Sequence, residues 1–113
     1  MVAHHFLEIQ ELTGIDQTKG VGMRVLIGKE HGAQRFIMRR FSVDAQGFTP
    51  RHTHPWEHEI YILNGTGTIH VENEQTEVRE GMAVFIPPDT QHQILAGDRR
   101  LEFLCLIPHI EEA

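Results

Sequence analysis

The sequence predicts an all-β fold, a sandwich or a barrel, from three observations. Short segments rich in β-branched and aromatic residues recur at near-regular spacing, turn residues separate them, and no amphipathic helix of any length is visible. A closed barrel would remove exposed strand edges and could enclose a small ligand. Because 113 residues is an ordinary size for one domain, we expect residues 1–113 to form a single domain.

About eight strands are predicted, and turn signals separate them. In chain order the predicted strands are residues 21–27, 35–43, 59–63, 66–72, 76–79, 83–86, 91–96 and 101–107. Residues 44–47 are expected to end the second strand as a turn. Asn64 and Gly65 close the third strand, because both residue types tolerate the positive φ of a tight turn. Pro87 and Pro88 stop the strand 83–86, and Pro108 stops the last one.

The net charge, the cysteine count and the absence of long apolar runs restrict the possible partners and the expected cellular location. The formal net charge is −6, which argues against nucleic-acid binding because that function needs a basic surface. An anionic substrate remains compatible, since a local field can oppose the net charge. Cys105 is the single cysteine, so no internal disulfide is expected and a reducing cytoplasm fits. No signal peptide and no membrane-spanning apolar run are visible, so we expect a cytoplasmic protein without a membrane partner.

Histidine is the unusual component, with nine residues in the chain. His52 and His54 are two positions apart, which places both imidazoles on one face of a strand. His58 begins the next predicted strand, and His92 follows a proline-rich turn. Neutral imidazole is the commonest metal ligand in proteins. An isolated His-x-His pair is more often two surface histidines, so the spacing alone leaves both interpretations open.

Two longer motifs resemble those of the cupin family. The first spans residues 47–65 and comprises Gly47, His52, His54, His58 and Gly65. The second spans residues 81–96 and comprises Gly81, Pro87 and His92, with Asp89 in place of a glycine and Ala96 in place of a frequent asparagine. The resemblance implies a single cupin barrel, also called a double-stranded β-helix or jelly roll. It also implies one divalent metal ion, held by His52, His54, His58 and His92.

The fourth ligand departs from the commonest cupin pattern of three histidines and one glutamate. Either His58 or Glu59 could occupy that position. Alternation along the strand places Ile60 on the face of His58 and turns Glu59 away, so we predict His58. The result resembles a small group of four-histidine cupins that bind manganese, which implies Mn²⁺. Four imidazoles suit Fe²⁺, Cu²⁺, Zn²⁺ or Ni²⁺ at least as well.

Three further residues are predicted to line the metal cavity. Phe103 and Cys105 share one face of the last strand, which faces the barrel interior in cupins. For Cys105 the alternative is a small core hydrophobe. Arg39 lies among apolar residues and could hold a substrate carboxylate or phosphate, unless Arg40 is the inward residue instead. The apolar walls are expected to be Ile60, Ile62, Phe85, Phe103 and Ile107.

Trp56 occupies the corner between His54 and His58. It could gate the cavity mouth, or it could pack to hold the corner in place. Glu57 and Glu59 could act as a general base only if either of them turned inward.

These features predict a metal-dependent enzyme acting on a small molecule, with a dioxygenase-like oxidation as the expected reaction. Alternatives are a non-catalytic metal- or ligand-binding module, and an isomerase or lyase acting on a small anionic substrate such as a sugar phosphate or a methylthio compound. A homodimer is expected, because the N-terminal stretch is more apolar than a solvated tail should be. Its apolar residues are Phe6, Leu7, Ile9 and Leu12.

Overall fold

The computed structural model describes residues 1–109, which form nine β-strands and two short 3₁₀ helices. The helices cover Phe6–Glu8 and Lys29–His31. The strands are β1 (Lys19–Ile27), β2 (Phe36–Phe48), β3 (His52–Thr53), β4 (His58–Asn64), β5 (Thr66–Val71), β6 (Glu74–Arg79), β7 (Ala83–Ile86), β8 (Gln91–Ala96) and β9 (Leu101–Pro108). Both helices of residues 1–109 are three residues long, so neither could span a membrane.

The strands form one curled antiparallel sheet with two halves. Its path runs β6–β5–β8–β2–β9–β4–β7, with β1 on β2 and β3 on β8. Strands β8 and β2 pair at one position, where Phe48 lies opposite Leu95, so the seam between them is narrow. We call β1, β2, β9, β4 and β7 the β2 half-sheet, and β6, β5, β8 and β3 the β8 half-sheet. The core draws side chains from both halves, including Val43 and Phe103 from the first and Ile69 and Ile94 from the second. The predicted all-β barrel is confirmed.

Strand β2 continues through the residues that were expected to form a turn. Lys19 is opposite Phe48, whereas Val21 is opposite Val43, so the β2 chain bulges between those two pairs. Gln46 has a φ of 64° inside this bulge, and its N–H donates to the carbonyl of Gly97 at 2.9 Å. The predicted turn at 44–47 is therefore a bend within one long strand, which carries β2 from one half-sheet to the seam with the other.

The Asn64-Gly65 pair ends β4, as predicted, but it does not form a hairpin. Strand β4 pairs with β7 and β9, whereas β5 pairs with β6 and β8. Gly65 has a φ of 88°, and a Cβ there would collide with the carbonyl oxygen of Arg100. Glycine is thus required at a corner where the chain passes from one half-sheet to the other.

The N-terminal segment pairs with the edge of β1 that faces away from β2. Leu12 exchanges two backbone hydrogen bonds with Met23, and the Arg24 guanidinium donates to the carbonyl of Phe6. The Phe6 ring lies 4.0 Å from the Arg40 guanidinium carbon. Phe6 is therefore packed within its own chain, whereas Leu7 stays 66% exposed.

Candidate metal centre

Three local structures bring the four motif histidines together. His52 lies in β3 directly opposite His92 in β8, and His58 begins β4. His54 lies in the corner between β3 and β4, where its carbonyl accepts the Asp89 N–H at 2.7 Å. The proline-rich turn before β8 is thereby tied to the His-x-His segment, so the two motifs converge.

The imidazole rings are close enough to share one ion. One ring nitrogen from each of His52, His54 and His92 can be chosen so that all lie within 4.8 Å of one another. The His58 ring centroid lies 4.6 Å from that of His92 and 5.5 Å from that of His54. Three histidines thus form a compact ligand group, with the fourth ring alongside.

Burial lowers the pKa of all four imidazoles. The pKa of His52 falls to about 4, because burial and then the neighbouring His54 and His92 rings disfavour its charged form. Burial and the nearby His92 lower the pKa of His58 to about 3. Burial also lowers the pKa of His54 and of His92, although the hydrogen bond to Thr90 opposes the shift at His92. At neutral pH the rings are therefore uncharged, the form that metals bind.

Hydrogen bonding around the rings fits a bound cation. His92 Nδ1 lies 3.1 Å from the carbonyl oxygen of Thr90; because a carbonyl only accepts, Nδ1 carries the proton and Nε2 keeps a lone pair. His58 Nδ1 is buried and has no hydrogen-bond partner among residues 1–109. An unpaired buried ring nitrogen is costly, and a metal ion could satisfy a histidine placed this way. The donor set therefore fits a divalent ion.

The carboxylates considered from the sequence lie elsewhere. Glu57 and Glu59 are exposed and line a groove on the outer surface, next to Phe36 and Ile107. His58, by contrast, is buried at the start of the same strand. Of the residues that the structure describes, no Asp or Glu lines the histidine cavity.

The cavity beside the histidines is small and largely apolar. Its volume is about 70 Å³, well below the roughly 300–1,000 Å³ of a drug-sized ligand pocket. The volume suits an ion with a small ligand, or with one end of a larger ligand. Besides the four histidines, it is lined by Arg39, Phe41, Thr49, Pro50, Ile60, Ile86, Ile94, Phe103 and Cys105.

Arg39 is the charged residue of this cavity, and Arg40 faces the opposite side of β2. Arg39 Nη2 donates to Cys105 Sγ at 3.1 Å, and its guanidinium carbon lies 5.0 Å from the Phe41 ring centroid. Arg39 Nε is buried without a hydrogen-bond partner in the described part of the chain. Arg40 instead pairs with Glu102 at 2.6 Å. The cavity thus contains a guanidinium that no carboxylate of residues 1–109 neutralises.

Cys105 and Phe103 connect the cavity to the core. Cys105 is 3% exposed, and burial raises the pKa of its thiol, although the Arg39 charge opposes the shift. Phe103 is 1% exposed and stacks on Phe41 with ring centroids 5.1 Å apart. Both residues line the cavity and also pack in the core. The sequence had left open whether Cys105 lines the cavity or is a small core hydrophobe, and it does both.

The predicted apolar walls are partly wrong. Ile60 lines the cavity, whereas Ile62 is buried in the core away from it. Phe85 is 55% exposed, because β7 turns Val84 and Ile86 inward instead. Ile107 packs partly against the core and lines the outer groove rather than the cavity. Four apolar lining residues were missed, namely Phe41, Pro50, Ile86 and Ile94.

Trp56 contacts the histidine cluster without lining its cavity. Its indole is stacked on the His54 ring, with centroids 4.3 Å apart and planes 9° from parallel. The indole Nε1 is buried and has no hydrogen-bond partner among the described residues. Trp56 thus packs against one histidine of the cluster.

Comparisons with known proteins agree with this architecture. The family profile described as the cupin domain matches residues 39–107. Dimethylsulfoniopropionate lyase DddW of Ruegeria pomeroyi is 35% identical over 95 residues, which are 80% of this chain and 60% of that protein. The chain spans only 45% to 60% of the length of the curated relatives that it matches.

Solved structures match over the whole chain or nearly so. The polyketide cyclase RemF of Streptomyces resistomycificus superposes with a TM-score of 0.91 at 32% identity, covering 100% of this chain and 82% of that one. A predicted oxalate decarboxylase of Thermotoga maritima superposes with a TM-score of 0.81 at 27% identity, covering 96% and 100% of the two chains.

Proposed function

The chain belongs to the cupin domain family, and from that premise we propose that it is a metal-dependent enzyme acting on a small anionic molecule. The observation that carries the proposal is the positive charge of Arg39, which faces four neutral imidazoles in a small apolar cavity. A divalent ion would raise the local charge further, and no carboxylate of residues 1–109 lines the cavity to balance it. An anionic ligand is the complement of such a site.

Four histidines are proposed as the ligands of one divalent ion: His52, His54, His58 and His92. His58 is the proposed fourth ligand because it is buried with an unpaired ring nitrogen, whereas Glu59 is exposed. We propose manganese from the resemblance to four-histidine cupins, with iron, copper, zinc and nickel as the ions that imidazoles equally suit. When bound, such an ion supplies Lewis-acid polarisation or, if redox-active, electron transfer.

Arg39 is proposed to bind and orient the anionic end of the substrate. Its Nη2 is engaged by Cys105, and its Nε has no partner in the described chain. Phe41 lies against the guanidinium and fixes its plane. Phe103, Ile60 and Ile86 exclude water from the same space, which strengthens the pairing of guanidinium and anion.

Oxidation of the dioxygenase type is the proposed reaction. Apart from the histidines and Arg39, Cys105 is the one titratable residue that lines the cavity in residues 1–109. Because burial raises the pKa of Cys105, its thiol stays protonated at neutral pH and is a poor general base. A cavity without a protein base favours a reaction whose chemistry depends on the ion over one that begins with proton abstraction.

A lyase is the second candidate, because the similarity to dimethylsulfoniopropionate lyase DddW covers 80% of this chain. The propionate end of such a substrate would suit Arg39. Elimination needs a base, however, and the described lining offers only the poor candidate Cys105 for that role.

The test is a turnover assay of protein loaded separately with Mn²⁺, Fe²⁺ or Cu²⁺, with small carboxylates and sulfonium carboxylates, in air and under strict anaerobiosis. Oxidation predicts product that depends on oxygen or peroxide. Equal rates without either oxidant would remove the oxidative proposal and support the lyase. Saturable metal and anion binding without turnover under any condition would support the non-catalytic module.

We also propose that the chain forms a homodimer. Several large apolar side chains stay on the surface, with exposed fractions of 66% for Leu7, 73% for Phe36 and 47% for Tyr61. Together with Leu12, 44% exposed, they would be protected from water by a second barrel.

A further inference from the structure

The corner between β3 and β4 contains an aromatic stack that involves one of the proposed metal ligands. The Trp56 indole is nearly parallel to the His54 imidazole at a centroid distance of 4.3 Å. We infer that Trp56 is a positioning residue, which holds the His54 ring in the orientation that metal binding requires. The inference depends on the metal site proposed above.

Two ligands of the cluster are oriented in different ways. At His92 a hydrogen bond to the Thr90 carbonyl sets the tautomer and the ring plane. Metal-binding histidines generally have such a hydrogen-bond partner on the second ring nitrogen. No hydrogen bond to the His54 ring is found among residues 1–109. The flat contact with Trp56 therefore restrains the plane of the His54 ring, as the hydrogen bond to Thr90 does for His92.

The His54 ring contacts two other aromatic rings. The His52 ring lies 4.1 Å from His54 in a tilted arrangement, and Trp56 lies parallel to it. Rotation of the imidazole out of its plane would drive it into one of these rings. A bound ion and the two ring contacts together would therefore determine the position of the imidazole.

Among residues 1–109 the indole has no hydrogen bond that would account for its placement. Trp56 Nε1 is buried without a partner among the described residues, an arrangement that costs stability. A buried tryptophan normally finds a partner for this N–H. The contact with His54 is thus the aromatic interaction that favours this indole position, and we expect it to matter for metal binding.

The test compares two variants of similar size, Trp56→Leu and Trp56→Phe, in Co²⁺ titrations followed by ligand-field absorption. Loss of the aromatic face in Trp56→Leu should weaken Co²⁺ binding by about tenfold to a hundredfold, the usual effect of removing a group that orients a ligand. It should also shift the absorption bands, because the His54 ring would tilt. Trp56→Phe should keep the wild-type bands and an affinity within about threefold of wild type.

Phe85→Leu, at an exposed aromatic residue on the outer surface, is the matched control and should leave both quantities unchanged. A folded Trp56→Leu protein with the wild-type affinity and spectrum would overturn the inference alone. Wild-type protein that takes up no Co²⁺ would overturn the proposed metal site and the inference together.

A second measurement needs no variant, in case Trp56→Leu does not fold. Trp56 is the single tryptophan, so the emission of the wild-type protein reports on this stack. Zn²⁺ is diamagnetic, and its binding draws charge from the imidazole that lies against the indole. We expect a saturable change in emission at one Zn²⁺ per chain. Emission that stays constant while the site fills would contradict a stack that acts on a ligand.

Discussion

His52 and His92 lie directly opposite each other across β3 and β8, with ring centroids 4.7 Å apart. They come from the two separate sequence motifs, so the β3–β8 pairing is what joins the motifs into one site. The pairing is short, since β3 contains only His52 and Thr53.

The first prediction concerns metal content. Purified wild-type protein should contain one divalent ion per chain, and His52→Ala, His58→Ala or His92→Ala should each lose most of it, because each removes one of four imidazoles. Elemental analysis after gel filtration measures the content. Glu59→Ala is the control and should retain the ion, since that carboxylate is exposed. Full metal in His58→Ala together with loss in Glu59→Ala would show that the fourth ligand is the glutamate.

The second prediction concerns the stability of metal-free protein at low pH. The pKa values of His52 and His58 are lowered to about 4 and about 3 in the folded chain, whereas unfolded histidine titrates near 6.5. Between those values the unfolded chain binds more protons, so falling pH favours unfolding. The melting temperature should therefore fall from about pH 6.5 toward pH 4.

Because carboxylates also titrate in that range, the comparison is with metal-free His58→Ala. That variant should have a shallower dependence of melting temperature on pH, since one imidazole with a lowered pKa is gone. Identical slopes for the two proteins would contradict the burial of a neutral imidazole at position 58.

The third prediction concerns anion recognition. Arg39→Gln should weaken the binding of a small carboxylate by about ten- to a hundredfold, the value of a charge-assisted hydrogen bond in a dry site. Calorimetric titration of the metal-loaded protein with acetate or propionate measures it. Arg40→Gln, one residue away on the opposite side of β2, should bind the carboxylate as wild type does. Equal weakening by both substitutions would point to a general charge effect rather than to a contact.

The fourth prediction uses two phenylalanines in different environments. Phe103 is 1% exposed and Phe85 is 55% exposed. Phe103→Ala should lower the free energy of unfolding by about 3–5 kcal/mol through lost burial and a new cavity. Phe85→Ala should cost less than about 1 kcal/mol. Urea unfolding measures both; a large loss in Phe85→Ala would show that its ring is covered in solution, as a dimer could cause.

The fifth prediction concerns assembly. The chain should have the mass of a dimer at micromolar concentration, and Leu7→Glu combined with Leu12→Glu should shift it to a monomer, because charges would enter an apolar contact. Light scattering coupled to gel filtration measures the mass. A monomeric wild-type protein would remove the proposed homodimer.

The positions of the histidines could be predicted because the constraint is local. A spacing of two in His52-Thr53-His54 sets one strand face, and strands β7 and β8 have the predicted bounds because prolines and turn residues frame them. The choice of His58 over Glu59 was likewise a matter of alternation along one strand, and His58 is the buried residue of the two.

Other features depend on contacts that are distant in sequence. β7 has apolar residues at all four positions, so no polar residue marks which face is outside, and Phe85 was assigned to the wrong side. At Gln46 a hydrogen bond to the distant Gly97 carbonyl stabilises a bulge within β2, where the local sequence predicts a turn that ends the strand. The stack of Trp56 on His54 arises in a corner outside the strands, where periodicity gives no information.

Because the seam between the half-sheets is narrow, a metal ion at the histidine cluster would add a further connection between them. His52 and His92 belong to the β8 half-sheet, whereas His58 and Arg39 belong to the β2 half-sheet. An ion shared by these histidines would connect the two half-sheets, whose direct pairing between β2 and β8 is confined to a short stretch around Phe48 and Leu95. Metal affinity and the distance between the half-sheets would then be linked in both directions. A contact that brings the half-sheets closer would raise the affinity for the ion, and the bound ion would make the barrel more rigid.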